Sequence, residues 1–486
     1  MAAARLLASR RPDRPAGRAL VVGAGIAGLL AARVLADGYR RVEILERDTV
    51  APGSGQRPGV PQGHHVHGLT ARGALVMEEL FPGLRAALTA AGAHGGDFGE
   101  IVAFRFPDGW SPRTATGIGL QTFSRPLLET LLRDRVADLP GVTITTGVQV
   151  TGLTGGPRRV TGVRTRGRGP LDPTPDSTAD PTSDPTADPT ADLVVDATGR
   201  TSRLPAWLAA LGLPPVPETV VDARVGYASR LYAAPGPDTP PWAAAMELVQ
   251  APGARRGFMA TRIEGDRLLV TLQGADGDHP PHTAEGFTAF AATLRTPLAE
   301  LLDQLTPLSA PRPYAHCANR RLHYDRLPHW PDGLIALGDA VCAFNPLYGQ
   351  GMGVAAMEAE LLRAALRAGP GFAGAFQRRL AALTRRPWLM STAQDRGWQQ
   401  GPTPGNRATA AVLTTVQRAM AADPDVFGRF LAVMHMTRGP AALLHPRTLR
   451  TVAVTALRAG SGAAPDADLW WGTEGNTARV DRGDKP

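Results

Sequence analysis

Ala19-Leu20-Val21-Val22-Gly23-Ala24-Gly25-Ile26-Ala27-Gly28 is the stretch that decides the fold. A short apolar run, a turn made of glycines and an apolar helical stretch reaching Ala36 read as strand, tight turn and helix. In that arrangement the first glycine allows the turn and the second lets the backbone approach a pyrophosphate. The third lets helix and strand pack, while the helix N-terminus faces the anion. Val42-Glu43-Ile44-Leu45-Glu46 reads as the next strand. Glu46 stands about twenty residues beyond the turn, where a carboxylate accepts ribose hydroxyls and disfavours a 2′-phosphate. Order and spacing together point to a Rossmann nucleotide site rather than to a glycine turn between packed elements.

A distant second stretch answers the first: Leu334-Ile335-Ala336-Leu337-Gly338-Asp339-Ala340, running on to Asn345-Pro346-Leu347-Tyr348-Gly349-Gln350-Gly351-Met352. Gly333 to Leu337 reads as an apolar strand that delivers Asp339 at its carboxyl end, where ligands of open α/β sheets bind. Pro346, Gly349, Gly351 and Gly353 then make a loop stripped of side chains, opening a helix to about Arg367. A flat ring fits against such a backbone, with helix-terminal N–H groups aimed at a carbonyl or anion on it. This pattern is similar to the second FAD motif of flavoprotein monooxygenases of the aromatic-hydroxylase fold. The resemblance implies FAD, with Asp339 on the ribityl chain and Pro346, Gly349 and Gly351 beside the isoalloxazine. The candidate cofactor-binding set is Gly23, Gly25, Ile26, Ala27, Gly28, Glu46, Arg47, Arg57, Arg125, Asp339, Pro346, Gly349, Gly351 and Met352.

Two further segments agree. Ser124-Arg125-Pro126-Leu127 opens a helix and resembles the family's arginine near the FAD linker, a role that suits the guanidinium fork. Asp192 to Asp196 reads as a strand, and Asp196-Ala197-Thr198-Gly199-Arg200-Thr201-Ser202-Arg203-Leu204 is similar to the family's middle motif. Thr198-Gly199 stands where many phenol hydroxylases carry Asp-Gly, and the family links that Asp to NAD(P)H use. The departure argues against direct reduction by a bound nicotinamide, and NAD(P)H is expected as the ultimate reductant, with a separate flavin reductase as one route. No second strand-GxGxxG-helix unit for a nicotinamide domain is evident.

A narrower likeness rests on Arg57-Pro58-Gly59-Val60-Pro61-Gln62-Gly63-His64-His65-Val66-His67, Phe81-Pro82-Gly83, Asp196 to Arg203, Asn319-Arg320-Arg321-Leu322-His323-Tyr324 and Asp339 to Met352. Over most of residues 18 to 400 the chain resembles the flavin epoxidases of polyether-antibiotic biosynthesis, of the lasalocid and monensin type. The resemblance implies epoxidation of C=C bonds in a polyketide-type intermediate. Reduced flavin and oxygen form a hydroperoxide in such enzymes, and the alkene attacks its distal oxygen. No side-chain nucleophile or metal is needed, and the protein supplies a dry, shaped pocket. Phenol hydroxylation, the alternative, gains from a base that removes the phenolic proton. A non-oxygenating reductase of the same fold and a flavin-binding accessory protein are further alternatives.

His65, Phe344, Pro346 and Tyr348 are the candidates beside the flavin. The His64, His65 and His67 cluster lacks cysteines or carboxylates at ligand spacing, so no metal is expected. His323 and Tyr324 read as a connection back to the flavin domain. Phe104, Phe106, Trp110, Phe258, Met259 and Phe344 are candidates for lining an apolar pocket, although such residues are more often core.

The single lysine, Lys485, lies in the polar C-terminal tail. Flavin-dependent halogenases of the tryptophan type, fellow members of the superfamily that the chain resembles, rely on an active-site lysine, so that chemistry is not expected. The net charge of +8 is almost entirely arginine, scattered rather than striped with aromatics, which argues against a nucleic-acid partner. At 486 residues, 43% hydrophobic and 20% charged, the chain reads as a soluble protein of two or three domains without a membrane span. Cytoplasmic location is expected, because Met1 to Gly17 has too short an apolar core for a secretory signal and Cys317 and Cys342 suit a reduced compartment.

The expected fold class is α/β: a Rossmann-type FAD-binding domain, an antiparallel β-sheet substrate domain and a helical C-terminal region. The flavin domain is expected to be discontinuous, from 18–90, 115–220 and 320–385. Residues 91–114 and 221–319, with alternating runs such as Val225 to Tyr232, Phe258 to Ile263 and Arg267 to Gln273, read as the substrate sheet. Within 172–192, Asp-Pro-Thr repeats read as a disordered insertion. Residues 386–470 read as helices, including Thr409 to Ala421, Asp425 to Met436 and Arg447 to Ala459, with tails at 1–17 and 471–486.

Overall fold

The computed structural model describes residues 17–49, 55–106, 109–166, 188–233, 241–400 and 404–457. The expected tails, save Gly17, and most of the 172–192 insertion lie outside the described residues.

A five-stranded parallel sheet runs in the order Leu334–Ala336, Leu193–Asp196, Arg18–Val22, Arg41–Leu45 and Val142–Thr145. Its strands read as continuous apolar runs because helices cover both faces, and Leu20, Val21, Val194, Ile335 and Ala336 have no exposed surface. Register sets the function of this sheet. Val22 pairs with Asp196 and Leu45, and Asp196 pairs with Ala336. The loops that follow these residues therefore leave the carboxyl edge side by side, bringing Gly23, Glu46, Thr198 and Asp339 together from across the chain.

The helix Ile26–Leu35 starts at Gly25, which offers no side-chain cap. Its first N–H groups therefore have no side-chain cap. By contrast, the helix Arg125–Ala137 is capped by Ser124, whose hydroxyl accepts from the Leu127 N–H.

The second sheet has seven strands, ordered Arg312–Tyr314, Gly226–Ala233, Arg267–Gly274, Arg256–Ile263, Ala244–Glu247, Val102–Phe106 and Gly109–Trp110. Its pairings are antiparallel except between Ala244–Glu247 and Val102–Phe106. One face packs on the helices Ala284–Ala291 and Leu298–Asp303 through Phe258, Leu268, Val270 and Leu272. Full burial of such a side chain contributes about 1.5–3 kcal/mol. The other face, one residue out of phase, looks into a cavity.

That phase corrects part of the apolar-lining expectation. Phe258 and Trp110 belong to the core on the helical side, and Phe104 and Phe106 pack towards the C-terminal helices. Met259 and Phe344 do line the cavity.

The helices Pro404–Ala422, Pro424–Met434 and Pro446–Leu457 follow the long helix Ala373–Gln400. Phe427 packs against Phe98 and Phe106, and the Nδ1 of His435 accepts from the Ala71 N–H at 3.1 Å. The mixed α/β class with a Rossmann-type sheet, an antiparallel-dominated second sheet and a helical C-terminal region is the class expected from the sequence. Among the described residues no helix is long and apolar enough to cross a membrane.

Candidate active site

A cavity of about 670 Å³ runs from the carboxyl edge of the parallel sheet to the open face of the second sheet. At one end lie Gly23, Gly25, Ile26 and Ala27, with Gly23 in the left-handed region at φ +102. A Cβ on Gly25 would meet no described atom and project only into the cavity. A Cβ on Gly28 would instead overlap the carbonyl of Gly23. Gly28 therefore seats the helix on the turn and does not line the cavity.

Glu46 is 6% exposed. Its Oε2 accepts from the Ala24 N–H at 2.8 Å and from Arg57 Nη1 at 3.0 Å, and its Oε1 accepts from the Asp48 N–H at 3.0 Å. Oε2 is thereby filled, but Oε1 keeps a second lone pair, so a ribose hydroxyl can still be received. Arg57 Nη2 donates to Glu129 at 3.1 Å, and Arg125 Nε donates to the other Glu129 oxygen at 2.9 Å. Burial pushes the Glu129 carboxyl up, but the guanidinium groups of Arg125 and Arg57 outweigh it and hold it below its ordinary value. The Arg57 guanidinium thus joins Glu46 to Glu129 while still bordering the cavity. Arg47 lines the same end from an exposed position, and Arg125 reaches Nε2 of His67 at 3.3 Å.

In the middle of the cavity stands Asp339, half-buried and without a hydrogen-bond partner for its carboxylate among the described residues. The loop from Pro346 to Met352 follows, with Gly349 at φ +61. A buried network holds this loop from behind. Asp395, on the long helix, accepts from Asn319 Nδ2 at 2.6 Å, Asn345 Nδ2 at 2.9 Å and the Tyr348 hydroxyl at 2.7 Å. Asn345 Oδ1 accepts from the Leu347 N–H and from the Tyr227 hydroxyl, both at 3.1 Å. Tyr348 is therefore turned out of the cavity towards Asp395, a correction to its placement beside the flavin. Pro346, Gly349, Gly351 and Met352 line the cavity, as does Phe344. Arg200 braces the same segment by donating to the Phe344 carbonyl at 2.6 Å.

Beyond the loop, the open face of the second sheet presents Tyr227, Met259, Thr271 and Gln273, with His65 against them. The Nδ1 of His65 lies 2.6 Å from the Ser229 hydroxyl, itself 2.6 Å from the Thr271 hydroxyl. Burial, with the charges of His64 and Arg312 adding, pushes His65 down to about 4. Burial and the nearby Arg125 push His67 down to about 3. Both imidazoles are neutral at pH 7, so Nε2 of His65 can accept a hydrogen bond in the tautomer whose Nδ1–H donates to Ser229.

Ser229, Thr271, Gln273, Tyr227 and Asp395 were not among the sequence candidates. The alternation in Arg267 to Gly274 already places Thr271 and Gln273 on one face, but does not say which face is core. Asp395 carried no signal. Among the described residues no group of three or more His, Cys, Asp or Glu is placed to hold a metal ion. Cys317 and Cys342 are buried and free, and burial pushes the Cys317 thiol up to about 12.

The residues present fit FAD. They offer a glycine turn open at Gly25, a carboxylate where a ribose would sit and an unpartnered Asp339. Beyond these lies a side-chain-poor loop that a flat ring can approach.

No protein-family model matches the chain. Protein Rv3254 of Mycobacterium tuberculosis (strain ATCC 25618 / H37Rv) is 34% identical over 411 residues, 79% of this chain and 81% of that protein. Among solved structures, a flavoprotein/dehydrogenase from Cytophaga hutchinsonii aligns with a TM-score of 0.61 at 16% identity, over 91% of this chain and 98% of that one. The flavin-dependent brominase Bmp2 aligns with a TM-score of 0.57 at 14% identity, over 91% and 97%. PqsL, a probable FAD-dependent monooxygenase from Pseudomonas aeruginosa, aligns with a TM-score of 0.53 at 17% identity, over 85% and 99%. At these identities the likeness to solved structures is one of fold.

Proposed function

Since the chain belongs to the same family as the mycobacterial Protein Rv3254, we propose, from its site, that it is an FAD-dependent monooxygenase that epoxidises C=C bonds of a polyketide-type intermediate. The observation that carries this reading is a single cavity bordered by the glycine turn at Gly25, Asp339, the Pro346–Met352 loop and the open face of the second sheet. Solved structures of the same fold include a flavin-dependent brominase and a probable FAD-dependent monooxygenase. The chain has a single lysine, Lys485, and none lines the cavity among the described residues, which weighs against a lysine-dependent halogenation.

FAD, bound and reduced, would supply activated oxygen for transfer to an electron-rich carbon. The protein's part is to hold and to shield. Gly23, Gly25 and the uncapped helix Ile26–Leu35 receive the diphosphate, Glu46 the adenosine ribose and Asp339 the ribityl hydroxyls. Pro346, Gly349 and Gly351 border the ring, with Asp395 fixing their loop. Met259 and Phe344 present apolar surface to the substrate and exclude water. Thr198 at the position of the family's nicotinamide-linked Asp favours electron delivery by a separate flavin reductase using NAD(P)H.

Hydroxylation is the second reading, and His65 is the observation that favours it. A neutral, buried imidazole backed by Ser229 and Thr271 can accept a hydrogen bond from a substrate hydroxyl and orient it. Incubating the purified protein with FAD, a generic flavin reductase, NADH, isotopically labelled oxygen and a simple alkene tests the proposal. The expected product is heavier by one labelled oxygen. Colourless protein that takes up no FAD at micromolar concentration, or a product that gains only hydrogen, would refute it.

A further inference from the structure

The face of the second sheet that looks into the cavity is polar where a buried sheet face is normally apolar. The strand register lays out two rows: Tyr227 opposite Gln273 opposite Gly257, and Ser229 opposite Thr271 opposite Met259. Tyr227, Ser229, Thr271 and Gln273 are all buried, with Gln273 1% exposed. Burying polar groups is tolerated when each finds a partner. Three of the four do: Ser229 bonds Thr271 and His65, Thr271 also accepts from the Val66 N–H, and Tyr227 donates to Asn345.

Gln273 does not. Its Oε1 is buried without a hydrogen bond, and its amide makes none to any described residue. Across the strand stands Gly257, which has no side chain to answer it and cannot gain one, because a Cβ there would overlap the Glu247 carbonyl. On the other side the Tyr227 hydroxyl is already committed. The one unfilled direction for the amide is the cavity that Gln273 lines.

We infer that Gln273 is a specificity-determining residue whose amide hydrogen-bonds a hydroxyl group carried by the substrate. A hydroxyl both donates and accepts, so it matches the carbonyl and the NH₂ of the amide together. The substrate is then an oxygenated, largely apolar molecule rather than a bare hydrocarbon, held by its polar end on the sheet while Met259 and Phe344 meet its apolar part. This inference rests on the reading of the cavity as a flavin oxygenation site and names the substrate class for it.

The test compares citronellol with the matching alkene that lacks the hydroxyl, each titrated calorimetrically into FAD-loaded protein. The expected result is preference for the alcohol by about tenfold, the worth of one good hydrogen bond. In Gln273→Met the preference should fall to within about twofold, with FAD affinity and melting temperature unchanged, because the amide holds nothing in the protein. Equal affinity of wild type for the two probes, or no binding of either, overturns the inference. So does a Gln273→Met variant that keeps the preference, or one that melts several degrees lower and so reveals a structural amide. If FAD fails to load, the flavin reading falls, whereas the same two titrations on FAD-free protein still decide the role of Gln273.

Discussion

Glu358, in the helix Gly351–Leu366, is fully buried; one carboxyl oxygen accepts from the Gly338 N–H at 2.5 Å and the other has no partner. Burial, opposed by that hydrogen bond and assisted by the charge of Asp339, pushes it up from 4.5 to about 8. Between those values the folded chain keeps a proton that the unfolded chain has released. Stability from this group is therefore fully present below pH 4.5 and is lost as pH rises through about 8. Glu358→Gln keeps an acceptor for Gly338 and removes the titration. The variant is expected to be more stable than wild type at pH 8 by on the order of 3 kcal/mol, with the gap closing towards pH 4.5. Denaturant melts across that range measure it, and a gap that does not change with pH refutes this account of Glu358.

At the scale of elements, the helix Ala373–Gln400 ties the parallel sheet to the loop that borders the candidate ring site. Gln377 Nε2 donates to the Ala336 carbonyl of the parallel sheet at 3.2 Å, while Asp395 gathers Asn319, Asn345 and Tyr348. Asp395→Ala strands the donors of buried Asn319 and Asn345 and of half-buried Tyr348, and should cost on the order of 3 kcal/mol. It should also weaken FAD binding by about tenfold or more, read by quenching of flavin fluorescence on binding. FAD affinity within twofold of wild type would show that the loop holds its shape unaided.

This element also marks where sequence reading stops. The strand-turn-helix at Gly23–Gly28 and the Asp339–Met352 run were legible because their geometry is local: a turn needs its glycine within a few residues. Asp395 was not, since its partners Asn345 and Tyr348 lie 50 and 47 residues away. Arg57 is legible as a cofactor candidate and does border the cavity, but its bond to Glu129, 72 residues on, is not legible. Phe258 and Met259 could not be sorted by hydrophobicity, because a single step along a strand exchanges core for cavity.

Across the whole molecule, the C-terminal helices complete a core that the two sheets cannot close. Phe98, Val102 and Phe106 share one buried cluster with Ala419, Met420, Phe427 and Leu431. A chain ending at Gln400 would expose that surface. It is expected to be insoluble or to bind the dye ANS strongly, whereas the full chain does not. A soluble truncated form that melts cooperatively and binds no dye would show the helices to be an appendage. The parallel sheet carries the same interdependence further, because its strand Arg18–Val22 lies beside Leu193–Asp196, which in turn lies beside Leu334–Ala336. During translation the glycine turn emerges from the ribosome hundreds of residues before Asp339 does. Under the proposed function, dinucleotide loading would then be a late event in biosynthesis, and a prematurely terminated nascent chain would have no place to keep a dinucleotide.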